Sequence, residues 1–232
     1  MNCLHQISKT ARAVIVGGAV AALFSAGAPV SAAPISITGY DIFHTSASGS
    51  GGWGNTYTGL VVSDGASRFN YTGGSGTMNN GVVESTEQTT QLLDNSGNIS
   101  VVLHLGAMYS LNSLSIFGGD IHNLIPPELQ GMTIGIGASS AVFSLASFGP
   151  DFGSGQVDHL ATITGSALDG VVSDTITLSG FTGSPCCGPQ FFPSIAEITL
   201  DGQNSVAVPE PLSMALVGLG LAAAGLSRRR SA

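Results

Sequence analysis

The chain has 232 residues, of which 43% are hydrophobic and 9% are charged, and its formal net charge is −8 at pH 7. Most of the basic residues lie near the two ends, so Arg68 is the only base in the stretch that holds all fourteen acidic residues, from Asp41 to Glu210. One base against fourteen acids gives that stretch a formal charge of −13. This acidity excludes nucleic acid and anionic membrane surfaces as partners, because both are bound through basic patches.

The N-terminal residues have the order of a secretory signal peptide. Lys9 and Arg12 precede an apolar run, Ala13–Ala28, and small residues come after it. Cleavage after Ala32 leaves small residues at the two positions that a signal peptidase reads, whereas a cut one residue later would place proline directly after it. We therefore predict a signal peptide over residues 1–32 and export of the chain from Ala33 onward.

The exported body, residues 33–205, is predicted to be one all-β domain with the architecture of an antiparallel β-sandwich. Apolar and polar residues alternate over short segments bounded by Gly, Asn, Asp or Pro, and we find no convincing helix among them. Ser46–Thr58 and Tyr71–Gly81 are rich in glycine and are predicted as loops at a sheet end. The predicted strands are Ile35–Tyr40, Ile99–Leu105, Ser113–Phe117, Met132–Ile136, Val142–Ser147, Val157–Thr164, Thr175–Leu178 and Ile195–Leu200.

Two cysteines lie in the body, the adjacent pair Cys186 and Cys187. An exported protein can keep a disulfide, so we predict that the pair forms one and staples its loop. The alternatives are a thiol pair that binds a metal ion, a redox role, and pairing between molecules. No further Cys or His lies nearby at the spacing of a metal site.

The chain lacks the motifs of common enzymes. Ser154, which two glycines flank, lacks the context of a nucleophile elbow, and no pair of carboxylates stands out for glycoside hydrolysis. The histidines of the body are too dispersed in sequence to predict a zinc site; they are His44, His104, His122 and His159. We therefore predict a protein that is not an enzyme, with a secreted hydrolase as the catalytic alternative.

An aromatic loop is the best candidate for ligand recognition. Trp53 is the only tryptophan, glycine and asparagine surround it, and Tyr57 lies four residues later. An exposed indole beside polar groups suits a sugar ring, which offers an apolar face and hydroxyls. Arg68 and Tyr71 lie in the adjacent loop region and complete the predicted ligand-binding set. The alternative is that Trp53 folds back and caps one end of the sandwich.

Several segments of the body resemble, in the same order, the discoidin-like, galactose-binding-type jelly rolls. The first is Leu60–Gly65, which ends in an Asp-Gly turn, and the second is Val101–Gly106 with Leu111–Ile116 after it. The closing segment is Ser194–Gly202, with Ala-Glu-Ile at its centre. The resemblance implies a discoidin-like jelly roll; a β-sandwich of another topology is the alternative.

The same resemblance implies a structural calcium ion, which carbohydrate-binding members of that fold hold between the early turn and the closing strand. The matching positions are Asp64 and Glu197, with carbonyl oxygens near Gly65 and Ser67 as further ligands. The alternative is that Asp64 forms an ordinary turn and that Glu197 points into solvent. His104 departs from the family pattern, which has aspartate before its Leu-Gly pair.

The C-terminal residues, 206–232, combine a rigid tripeptide, an apolar run and a basic end. In order, they are Pro209, Glu210 and Pro211, then Leu212–Leu226, then Arg228, Arg229 and Arg230. As a helix at ~1.5 Å per residue, the run spans about 22 Å, against a bilayer core about 30 Å thick, so it predicts a marginal transmembrane helix. The arginines favour the cytoplasm, which places the body on the far side of the inner membrane.

This order resembles the sorting signal of the PEP-CTERM family of Gram-negative surface proteins. The resemblance implies transient anchoring in the inner membrane, processing by exosortase, and transfer to the cell surface or the extracellular matrix of a biofilm. The alternative is an ordinary anchor that is never cleaved. We therefore hypothesise a non-catalytic carbohydrate-binding module that binds extracellular polysaccharide; the alternative is a structural matrix component without glycan affinity.

Overall fold

A computed structural model describes residues 32–45, 56–63, 68–83, 90–93, 99–118, 129–148, 157–183, 192–205 and 218–220. Within these ranges the chain forms twelve β-strands, one 3-10 helix, Thr77–Asn79, and a short helical stretch at residues 218–220. The strands are β1 (Ala33–Ile35), β2 (Gly39–Thr45), β3 (Leu60–Ser63), β4 (Phe69–Gly74), β5 (Gln91–Leu92), β6 (Ser100–Gly118), β7 (Leu129–Ile136), β8 (Ser139–Ser144), β9 (Ala146–Phe148), β10 (Val157–Thr162), β11 (Val172–Gly183) and β12 (Ser194–Asn204).

The longest strand, β6, has different neighbours along its length. Its first part, from Ser100 to His104, lies between β2 and β11, and its last part, from Ser113 to Gly118, lies between β10 and β12. One set of strands runs β3-β4-β2-β6-β11-β7-β8. The other set is formed by β9, β10, the end of β6 and β12, with β1 and β5 also paired to β12. Every pair is antiparallel, which confirms the all-β prediction.

Two local features allow β6 to serve both sets. Gly106 has a φ of 72°, a left-handed conformation that costs glycine little, and it interrupts the extended path of the strand. Further along, the register with β12 jumps from Ser113 to Leu111, so Asn112 is an extra, bulged residue. The bulge moves the buried side chains from odd to even positions. Its carbonyl accepts a hydrogen bond from the N–H of Ile163 at 2.8 Å.

One apolar core contains side chains from both sets. Ile42, Leu103 and Ile134 come from the first set, and Ile116 and Ile198 come from the second; none is more than 1% exposed. Each such side chain stabilises the fold by about 1.5–3 kcal/mol when it leaves water. Because the sets share both β6 and this core, we expect the body to unfold as a single unit.

Most predicted strands lie within observed strands. The predicted and observed bounds differ mainly where the chain passes from one strand to the next. The prediction Ile35–Tyr40 spans the gap between β1 and β2, and Val142–Ser147 crosses from β8 into β9 at Leu145. Ile99–Leu105 and Ser113–Phe117, predicted as separate strands, are parts of β6. Gly106 suggested that a strand ends there, but β6 continues through Gly106 with a bend at this residue.

The prediction of a loop at Tyr71–Gly81 was wrong in its first part, because β4 continues to Gly74. A Cβ atom on Gly74 would lie 2.7 Å from Cζ of Tyr57, so glycine is required there for close packing rather than for a loop. The edge strand β3, its neighbour β4 and the short β5 were not predicted. They are rich in glycine or short, and their alternation is weak.

Several predictions concern residues outside the described ranges. These are the signal peptide up to Ser31, Trp53, the cysteine pair and the Pro-Glu-Pro tripeptide with its arginines. Of the predicted transmembrane run, only residues 218–220 are described, and they are helical. Within the described part of the chain, no helix reaches the length and apolarity needed to cross a membrane.

Candidate functional site

An open polar pocket of about 290 Å³ lies where β2, β4 and β6 adjoin. Its wall consists of small hydroxyl side chains, glycine backbone and one imidazole. The lining residues that matter most are Thr38, Thr58, Gly73, Gly74, Ser75 and His104. Such a wall offers many hydrogen-bond donors and acceptors at short reach, with few bulky side chains between the backbone and a ligand.

The imidazole that lines this pocket, that of His104, is paired with a carboxylate beside it. Asp41 in β2 is paired with Val102 of β6, so His104, two residues along β6, lies diagonally across on the same face. His104 Nε2 is 2.9 Å from Asp41 Oδ2, and the other carboxylate oxygen, Oδ1, accepts the N–H of Gly73 at 2.7 Å. The His104 side chain is 41% exposed and that of Asp41 is 18% exposed, so the pair lies outside the core, with His104 at the pocket.

Hydrogen bonds fix the backbone of His104 as well as its ring. Both the N–H and the hydroxyl of Thr38 donate hydrogen bonds to the carbonyl of His104, at 2.8 and 3.0 Å. Across the pocket, the N–H and hydroxyl of Thr58 donate to the carbonyl of Ser75, at 2.9 and 3.0 Å. The two sides of the pocket are therefore preformed.

Tyr57, a predicted ligand-binding residue, joins the pocket wall to the core. Its hydroxyl donates to the carbonyl of Tyr40 and accepts the N–H of Gly74, each at 2.9 Å. Its ring lies against two other tyrosine rings, with centroids 5.1 Å from Tyr40 and 5.2 Å from Tyr71. Burial raises the pKa of the Tyr57 hydroxyl, as expected for a phenol that serves as a neutral structural bridge.

Of the predicted ligand-binding residues, the structure brings Tyr57 and Tyr71 into contact, but not as a surface for a ligand. Tyr71 is only 1% exposed and belongs to the core, so it has no surface on which a sugar could stack, and its proposed role is corrected on that ground. Arg68 is half-buried and directly precedes β4, whereas Gly73 and Gly74, which line the pocket, are the last two residues of that strand. At ~3.3 Å per residue, Arg68 therefore lies about 17 Å along the strand from Gly73. The role of Trp53 stays a prediction.

Glu197, a predicted calcium ligand, is buried in β12 and only 4% exposed, so the alternative that it points into solvent is wrong. Its Oε2 accepts the N–H of Gly81 at 2.9 Å, which ties the turn after the 3-10 helix to β12. Asp64 lies outside the described residues, so calcium stays a prediction. In the described ranges no three His, Cys, Asp or Glu side chains gather in a way that would hold a metal ion.

The buried carboxyl predicts an effect of pH on stability. Burial raises the pKa of Glu197 above its ordinary value, and backbone N–H donors from the turn only partly oppose this. Between the ordinary and the raised value the folded protein binds more protons than the unfolded chain, so the free energy of unfolding falls as pH rises through this window. Glu197→Gln cannot ionise and should lack that fall, which urea unfolding at about pH 4 to 7 would measure.

Asp174→Asn, which removes an exposed carboxylate, is the matched control and should keep the wild-type slope. If the free energy of unfolding changes equally with pH in wild type and Glu197→Gln, the pH effect does not come from Glu197. The same unfolding curves with calcium and with a chelator check the calcium prediction. If Glu197 is a calcium ligand, calcium should raise the free energy of unfolding of the wild type, and Glu197→Gln should abolish this increase.

The Asp41–His104 pair was not found from the sequence. The two residues are 63 positions apart, and only the register of β2 against β6 makes them neighbours. A weak signal was present, since His104 is a polar residue inside the apolar run from Val101 to Leu105.

Comparison with solved structures finds β-rich carbohydrate-binding and discoidin-type domains. A family 32 carbohydrate-binding module of Clostridium perfringens NanJ, solved with galactose, is 15% identical, with 68% of this chain and 98% of that chain covered at a TM-score of 0.36. An F5/8 type C domain from Bacteroides fragilis is also 15% identical, with coverage of 69% and 97% and a TM-score of 0.37. With scores and identities this low, the likeness carries no argument about ligand or mechanism.

No curated protein matches the sequence. A family model does match the tail: residues 207–230 correspond to the PEP-CTERM protein-sorting motif. The matched residues include the Pro-Glu-Pro tripeptide, the whole apolar run and the three arginines. The C-terminal end of the chain is therefore a PEP-CTERM protein-sorting motif.

Proposed function

We propose that this chain is an exported surface protein of a Gram-negative bacterium whose body binds extracellular polysaccharide without catalysing a reaction. The sorting motif supports export, transient anchoring in the inner membrane and processing by exosortase. For the body, the observation that carries the proposal is the preformed polar pocket beside Asp41 and His104.

The pocket suits a saccharide in size and in chemistry. Its volume of about 290 Å³ is at the lower end of the range for small-molecule sites, which fits one or two sugar units rather than a large cofactor. Sugar hydroxyls both donate and accept. The Thr38 and Thr58 hydroxyls give their own protons to carbonyls of the wall, so they can accept from a sugar, and the Ser75 hydroxyl can donate or accept. For the fold we propose a discoidin-like jelly roll, supported by two strand sets that share β6 and one core.

Binding is tested with the full chain in mild detergent, by co-sedimentation with insoluble polysaccharides and affinity electrophoresis with soluble ones, including the host's own matrix. We expect saturable binding to at least one polymer. Trp53→Ala should lower that affinity by about tenfold if the indole extends the site by stacking on a neighbouring sugar unit.

The matched control is Leu60→Ala, which removes another apolar side chain, one that is 64% exposed on β3. If Trp53→Ala binds with wild-type affinity, Trp53 does not belong to the binding site, and the pocket remains the proposed site without it. No binding to any polymer at high protein concentration would overturn the proposed function.

One observation favours a structural matrix component as a second candidate. On β3, the side chains of Leu60, Val61 and Val62 are 64%, 44% and 48% exposed, and among the described strands only β4 pairs with it. An uncharged, apolar edge strand is a surface on which further strands can add. Concentration-dependent assembly in light scattering, abolished by a lysine at Val61 and without glycan affinity, would favour this function.

A further inference from the structure

The carboxylate of Asp41 is enclosed between two donors. Gly73, in a left-handed conformation with a φ of 69°, directs its N–H to Oδ1 at 2.7 Å, and the His104 ring meets Oδ2 at 2.9 Å. A carboxylate can only accept hydrogen bonds, so the proton on this side of the ring must belong to His104 Nε2.

This arrangement determines the chemistry of the opposite side of the ring. When a neutral imidazole carries its proton on one nitrogen, the other nitrogen is an acceptor. The acceptor here is therefore His104 Nδ1. Among the described residues no hydrogen bond to Nδ1 is formed, and the side chain is 41% exposed at the pocket. The pocket thus presents a fixed lone pair to whatever enters it.

The charges around the pocket have one sign. None of the residues that line it is Lys or Arg, and Asp41 stands directly behind His104. Arg68, the only base of the body, is at the other end of β4. An anion in the pocket would therefore meet a lone pair, with a carboxylate behind it and no cation to compensate, whereas a hydroxyl or an ammonium group would donate a hydrogen bond to that lone pair.

We propose that the pocket selects saccharide units that carry no acidic group, with His104 Nδ1 accepting a hydrogen bond from a sugar hydroxyl or amino group. Asp41 is then a positioning residue, since it acts through the His104 ring. This inference rests on the proposed polysaccharide binding and specifies the chemistry of the polymer: neutral or amino sugars bind, and uronic acids are rejected.

The test is isothermal titration of the full chain with oligosaccharides of equal length: a galactose oligomer, a glucose oligomer, a glucosamine oligomer and a galacturonate oligomer. Titrations are made at pH 8, where imidazoles are normally neutral, and at one fixed ionic strength. Binding of a neutral or amino oligomer with no measurable binding of the galacturonate oligomer supports the proposal. Galacturonate binding as tight as the best of the others overturns it.

Variants separate recognition at His104 from general attraction by an acidic protein. In His104→Gln the amide nitrogen can still reach Asp41, but the acceptor at the Nδ1 position is lost, so affinity should fall about fivefold to tenfold, the effect of one hydrogen bond. Asp201→Asn removes the same charge as Asp41→Asn from an exposed position on β12 and should leave affinity unchanged. Unchanged affinity in His104→Gln, with an unchanged thermal midpoint, overturns the proposal.

The role of Asp41 has a spectroscopic readout that a purely structural role would not change. The ¹⁵N chemical shifts of the His104 ring should show the proton on Nε2 in wild type, and a mixture of the two tautomers in Asp41→Asn, since an amide can donate as well as accept. A proton on Nδ1 in wild type overturns the proposed readout. Binding of glycans by every variant with equal affinity would leave the polysaccharide function intact and would overturn only the selection by this pocket.

Discussion

Alanine at Gly74 should lower the free energy of unfolding by about 3 kcal/mol, the upper range for an overpacked site. The new Cβ would lie 2.6 Å from the Gly59 Cα and 2.7 Å from the Tyr57 Cζ, and it would also meet the backbone nitrogen of Gly59. Backbone atoms cannot swing aside as a side-chain end can, so the end of β4 must move away from Gly59 and Tyr57. Urea unfolding monitored by circular dichroism measures the loss.

Gly135→Ala is the matched control for this substitution. Gly135 also lies in a strand, β7, but a Cβ there would be 3.5 Å from the Thr177 Cβ, an ordinary contact. Since alanine is entropically favoured over glycine inside a strand, its effect should be within about 0.5 kcal/mol of zero. Equal losses in the two variants would show that Gly74 has no special packing role. The Gly74→Ala variant should also lose glycan affinity, because Gly74 lines the pocket.

Replacing Glu210 by glutamine should trap the protein in the inner membrane with its tail attached. The two prolines around Glu210 favour an extended backbone, which presents the side chain to a protease, and glutamine keeps its size but removes its charge. The expected result is accumulation of the uncleaved form in the membrane fraction and loss of the processed form from the cell surface. Fractionation and then mass spectrometry of the C-terminus distinguish the two forms.

Ser213→Ala, just inside the apolar run, is the control and should be processed normally. Normal release of Glu210→Gln would contradict processing at this tripeptide by a protease that reads the glutamate. Retention of both the variant and the wild-type chain would instead indicate a permanent anchor.

The strands predicted best from the sequence are those in which apolar and polar residues alternate, since this alternation decides which side chains face the core. Met132–Ile136 and Ile195–Leu200 lie wholly within β7 and β12, and their apolar side chains reach the shared core. The prediction failed for β4, where the glycines looked like a loop signal, and for β3, which is short and does not alternate between buried and exposed residues. Gly74 of β4 is required because its backbone closely approaches that of Gly59, a property of the three-dimensional packing that no local pattern contains.

The site was harder to predict than the fold, for a related reason. Tyr71 was assigned to ligand binding because it lies in a polar, glycine-rich segment, yet its ring is in the core against Tyr57. Asp41 and His104 carry no motif, and their contact depends on the register of two strands distant in sequence. The sorting motif of the tail could be recognised from the sequence, because its three elements are contiguous and each has its own physical meaning.

The last strand of the body, β12, is paired on both of its edges and directly precedes the sorting tail. It is bonded along its length to β6 on one side and to β1 and β5 on the other. Tension from flowing liquid or from a bound polymer would enter a tethered molecule as a pull along β12. Antiparallel hydrogen bonds are perpendicular to the strands, so this pull loads the row from Ile195 to Asn204 in shear, all bonds at once, instead of peeling them singly. For a molecule held by its tail, we therefore expect this strand to be among the parts of the body that yield last under tension.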